Sequence, residues 1–132
     1  MSGGIESDLA AALAGALEAA PGVVAIVGGR VHADPPRMLT YPCICVGRIE
    51  SRPVGEDLLE HVVTITCASR FGGPEEARAM TAAARLALHD AAPTAPERRL
   101  VSCRVRYADV FAASDGELTL GILRVRAVSE PA

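Results

Sequence analysis

The sequence has no lysine and no tryptophan, and its whole aromatic complement is Tyr41, Phe71, Tyr107 and Phe111. So few rings exclude a stacking platform for single-stranded nucleic acid. A net charge of only −3 gives no electrostatic basis for holding a DNA duplex. No apolar run approaches the roughly 20 residues a membrane-crossing helix needs. The opening stretch MSGGIESDLAAALAGAL has no basic segment and carries Glu6 and Asp8 early, so no signal peptide is expected. Four cysteines without an export signal are expected to be reduced thiols in a cytosol. No G-x-S-x-G, H-E-x-x-H, Walker or Rossmann pattern occurs.

All thirteen basic residues are arginine, whose planar fork suits interfacial ion pairs better than the point charge of lysine. Half the residues are apolar. A chain of 132 residues is near the commonest domain size and buries about two-thirds of its unfolded surface without a covalent staple. One domain over residues 1–132 is expected.

Ile5, Leu9, Leu13 and Leu17 recur every fourth residue beside Ala12, Ala16 and Ala20, an apolar stripe on a helix that Pro21-Gly22 stops. Its other side is mostly alanine, which suits a well-covered helix or one packed on a neighbouring chain. Val23 to Val27 is a short apolar run broken by Gly28-Gly29, and residues 30–33 suit a short strand ahead of Pro35-Pro36. YPCICVGRIES predicts a strand from Cys43 to Ile49, followed by a loop at SRPVGED. LLEHVVTITCAS is the strongest strand signal, with Val63, Ile65 and Cys67 on one face and Thr64 and Thr66 on the other. A second helix comes next, with Gly73 as cap, Pro74 at its first position, and a stripe of Ala77, Met80, Ala84, Ala87 and Leu88. APTAPERR reads as loop.

In LVSCRVRYADVF, Val101, Cys103, Val105 and Tyr107 alternate with Ser102, Arg104 and Arg106. In the last strand Leu118, Leu120 and Ile122 occupy one parity, and Leu123, Val125 and Ala127 the other. Gly121 sits at the change, which predicts a bulge there. The order helix, strands, helix, strands predicts an α+β fold: an antiparallel sheet with two main helices packed on it.

Cys43 and Cys45 are spaced C-x-C within an apolar strand, a poor bite for a tetrahedral metal. Cys67 and Cys103 fall on apolar parities, so the cysteines read as small core hydrophobes. A metal or redox role is the competing reading. His32, His61 and His89 are scattered: His61 shares parity with Val63 and Ile65, and His89 ends a helix, where a partly positive ring complements the dipole. No catalytic, cofactor-binding or metal residue is assigned. Arg104 and Arg106 on one strand, and Arg124 and Arg126 on another, form a polar face if the strands are close. That face is either solvated or pairs with acids of a neighbouring copy, such as Glu56, Asp57 or Glu60.

In their order and spacing, LAAALAGAL, GGRVHADPP, YPCICVG, HVVTITCASRFGGPEEARAMTAAARLAL and ASDGELTLGILRVRAVSE resemble the tail-completion or tail-terminator proteins of long-tailed phages and phage-derived gene transfer agents. The resemblance implies a small α+β domain with no enzymatic activity and no cofactor. It implies a homo-oligomeric ring, usually a hexamer, that ends the tail tube and docks to the connector or stopper of the head. DNA passes through the lumen without sequence-specific binding, and no membrane is involved. Such a protein assembles in the host cytoplasm and then resides at the head–tail junction of a virion or gene transfer agent particle. In that setting the polar segment ESRPVGEDLLE, with Arg52, Glu56, Asp57 and Glu60, is a hairpin that reaches a neighbour or the tube. The alternatives are another connector component, a stopper or adaptor, and a small thiol- or metal-dependent enzyme or ligand-binding domain centred on the cysteines.

Overall fold

The leucine spacing at the start of the chain forms helix α1, Ile5–Glu18, in the computed structural model, which describes residues 4–93 and 95–132. Leu9, Leu13 and Leu17 are buried, each contributing about 1.5–3 kcal/mol relative to exposure. Glu6 and Asp8 lie in the first turn, where the helix dipole favours acids. The helix ends ahead of Pro21 as composition predicts. The apolar run after it is itself helical, forming α2, Pro21–Val27. Pro21 opens it where no backbone N–H is needed. At seven residues it has no independent stability, and Val23 and Val27, one turn apart, anchor it in the core.

The remaining elements are β1 (Val31–His32), β2 (Cys43–Gly55), β3 (Leu58–Ser69), α3 (Gly73–Leu88), β4 (Arg98–Ala112) and β5 (Thr119–Pro131). They form one five-stranded sheet in the order β1-β2-β3-β5-β4. The fold is α+β with three helices. Its sheet is mixed where an antiparallel one was expected, because β1 runs parallel to β2. The connection over residues 33–42, kept irregular by Pro35 and Pro36, is what returns the chain to start β2 in the same direction.

The expected loop at SRPVGED is strand: β2 continues to Gly55 and turns at Glu56-Asp57. Asp57 takes φ 63°, a conformation aspartate tolerates. The hairpin is not a free arm. Strand β3 is paired to β5 as far as Leu59↔Ser129, and Arg98 Nη2 donates to the Asp57 carbonyl at 3.0 Å. The turn is therefore a corner of the sheet. At APTAPERR an isolated bridge joins Ala95 to Arg98; Thr94 lies outside the described residues.

Ile44, Val46, Val63, Ile65, Cys67, Cys103, Val105, Leu123 and Val125 share one core with Leu13, Leu17, Met80, Ala84 and Leu88. All three helices thus cover the same face of the sheet. On β4 the alternation fails. Register shifts between Leu100 and Ser102 and between Val105 and Tyr107 each insert one residue, and a one-residue slip moves a side chain to the other face. Cys103 and Val105 face the core, while Val101 and Tyr107, expected beside them, are 56% and 43% exposed. The bulge expected at Gly121 is absent, and β5 stays in continuous register with β3 through it. Gly121 is required for another reason. A Cβ there would overlap the Thr81 hydroxyl, so α3 crosses β5 at glycine distance.

Candidate functional site

The face of the sheet away from the helices has no element of its own covering it among the described residues. Strand register assigns its occupants: Arg104 lies opposite Arg126, Tyr107 opposite Arg124, and Val62 beside Arg126. Like charges directly opposite destabilise a sheet, and Glu60 supplies the compensation. Its carboxylate accepts from Arg126 Nε at 2.5 Å and Arg52 Nε at 2.7 Å. The Arg126 bond foremost, then the Arg52 bond, hold the Glu60 carboxyl below its ordinary pKa. The Arg124 guanidinium stacks 4.8 Å from the Tyr107 ring centroid, and Arg104 reaches Asp90 at 3.2 Å. Arg106 sits at the bulge and borders the same depression as Val62, Tyr107, Arg124 and Arg126. The four expected arginines therefore do converge. Glu60, expected to serve a neighbouring copy, is occupied within its own chain. Glu56 and Asp57 are exposed at the corner turn and form no ion pair among the described residues.

The thiols are not arranged for chemistry. Because Ile44 pairs with Cys67, Cys43 and Cys45 share the face away from the helices with Ala68 and Thr66, while Cys67 and Cys103 lie under the helices. Cys43 is nonetheless buried and Cys45 half-buried. Burial pushes Cys43 and Cys67 up to about 12 and Cys103 up to about 11, and raises Cys45. A nucleophilic or metal-binding cysteine needs the opposite shift. Among the described residues no group of three His, Cys, Asp or Glu side chains could hold a metal ion.

The buried His61 joins four strands. Its Nδ1 lies 2.7 Å from Ser51 Oγ on β2 and its Nε2 2.8 Å from Ser129 Oγ on β5, which also accepts from Arg98 Nε of β4 at 2.8 Å. Burial lowers its pKa most; Glu6 opposes the shift and Arg98 adds to it. This chain of bonds ties β2, β3, β5 and β4 together. His89 Nδ1 accepts the Val105 N–H at 3.0 Å. It thereby closes the edge of β4 in place of the dipole role expected from sequence.

The model of the family described as Tail completion protein gp17 matches residues 11–130. The chain belongs to this family. Among curated protein sequences none matches it. Among solved structures, a chain of "Virion of native gene transfer agent (GTA) particle" superposes with a TM-score of 0.86 at 25% identity, covering 98% of this chain and 99% of that one. Membership of a phage tail-completion family makes the protein a tail structural component, and its surface reads accordingly.

Both edges of the tail completion protein's sheet are blunted in part against sheet extension. On β4, Asp90 N–H bonds the Cys103 carbonyl at 2.7 Å beside the His89 contact, and two bulges interrupt the strand. On β2, β1 covers Ile44 and Cys45 and Pro53 lies in the outer stretch. These are the devices that keep edges from pairing with other chains. Neither phenylalanine nor tyrosine contributes a residue to the buried core. Alternation located the arginines, but nothing local signals the Tyr107–Arg124 stack or the Ser51–His61–Ser129 chain.

Proposed function

We propose that this tail completion protein is a terminator. Copies of it form a closed ring, a hexamer by family resemblance, that ends the tail tube at its head-proximal side and joins it to the head connector. It works by shape and contact and catalyses nothing. It assembles in the host cytoplasm and then resides in the particle, where DNA crosses the ring's lumen. The observation that carries this reading is the near full-length likeness to a chain of a gene transfer agent virion. The uncovered sheet face supports it, as do thiols whose burial disfavours the reactive form. A net charge of −3 suits a passage that must not retain DNA, because basic linings bind phosphate.

Electron microscopy of the protein mixed with its tail tube tests the proposal. A ring at one end of the tube, with tube length limited, is expected. Binding at the head side without contact to the tube would reassign the protein as a stopper or adaptor. A monomer that neither binds tubes nor limits them would overturn the reading.

A further inference from the structure

Two exposed features of opposite charge lie on this chain where they cannot meet. One is the corner turn, where Glu56 and Asp57 project from a backbone held by Arg98 and Val54 is 43% exposed beside them. The other is the uncovered face at Tyr107, where the Arg106 and Arg124 guanidinium groups have no carboxylate partner among the described residues. Arg124 is level with Thr64 on β3. Seven strand residues from Asp57 to Thr64 place the turn about 23 Å away along the sheet. Neither feature carries an ion pair within the chain among the described residues.

We infer that the corner turn of one copy docks on the Tyr107 face of the next. Glu56 and Asp57 pair with Arg106 and Arg124, and Val54 lies on the Tyr107 ring. This rests on the ring reading and gives that ring its contact. The occupant is a second copy because the complementary charges are both on this chain. The two patches differ, so the contact can repeat head-to-tail from copy to copy, the kind that closes into rings. Desolvation beside Tyr107 strengthens the pairs relative to fully exposed ones.

The test uses charge reversal in the full chain, with assembly read by native mass spectrometry and sedimentation, alone and with tail tube. E56R/D57R and R106E/R124E should each weaken assembly about tenfold or more. Mixing the two variants should restore it, since each turn then meets an opposite face, and so should the quadruple variant. A wild-type chain that assembles, with neither variant impaired, overturns the contact and leaves the ring standing. A wild-type chain that stays monomeric with tube present overturns both. Reversed arginines that leave assembly intact but reduce DNA retention would reassign the face to DNA and overturn the contact. As a check independent of charge, D57C/R106C should give a ladder of disulfide-linked copies on oxidation, and absence of a ladder counts against the docking.

Discussion

Adding a single methyl group at Gly121 tests how α3 is seated on the sheet. An alanine Cβ there would overlap the Thr81 hydroxyl oxygen and lie 3.2 Å from Thr81 Cβ and 3.5 Å from Cys67 Cβ. Rotating Thr81 away does not clear the site. It breaks the 2.7 Å bond from Thr81 Oγ1 to the Ala77 carbonyl and still leaves the short Cβ approach. Overpacking of this kind costs about 2 kcal/mol. Spread over an unfolding entropy of about 2.1 cal/mol/K per residue, that lowers Tm by about 7 °C. Thr81→Ala alone should cost less than about 1 kcal/mol, because the alanine regains helix propensity. The double variant G121A/T81A should recover about 1 kcal/mol or more of the G121A loss, a coupling well above the additivity error for distant sites. Urea unfolding followed by circular dichroism measures all three. A neutral G121A, or a double variant whose loss is the plain sum of the singles, would refute the close α3–β5 seat.

His61 is kept neutral in the fold, so the unfolded chain binds its proton first. Stability should fall as pH drops below about 6.5, the ordinary histidine value. H61Q should flatten that window, seen in urea midpoints between pH 7 and 5, while costing about 1–3 kcal/mol at pH 7 from the unmade bonds to Ser51 and Ser129. Equal slopes would discard the assignment. Glu60 has a lowered folded pKa, so its contribution is present above the ordinary carboxylate range and is lost as pH falls below about 4.5. E60Q should be less stable at neutral pH and lose that acid dependence, while E50Q, on a residue outside the Arg52–Glu60–Arg126 cluster, should not. Burial holds the Cys43, Cys67 and Cys103 thiols well above pH 8, so little of each is thiolate there. Alkylation should therefore be slow in the folded protein and fast in denaturant; a thiol that reacts rapidly in the folded state would revive a chemical role for the cysteines.

Local pattern by itself determined the two longer helices and the β3 strand. Leu9, Leu13 and Leu17, or Met80, Ala84 and Leu88, lie on one side of any helix they form, and Val63, Ile65 and Cys67 on one side of any strand. Periodicity is a property of consecutive residues, so it survives without knowledge of the rest of the chain. The order of these elements, with the family resemblance, was enough to reach a tail completion protein.

Tertiary structure decided what periodicity leaves relative. Two bulges moved Val101 and Tyr107 off the core parity of β4, because pairing with β5 sets the register and alternation does not. In YPCICVG both parities are apolar, and only the position of the helices chose Ile44 and Val46 for the core and left Cys43 and Cys45 on the other face. Gly121 reads as a break in a pattern until α3 lies across it. Glu60 looked available to a neighbour until β3, β2 and β5 aligned it between Arg52 and Arg126. Each of these outcomes depends on a residue distant in sequence, and one strand cannot encode which partner will stand beside it.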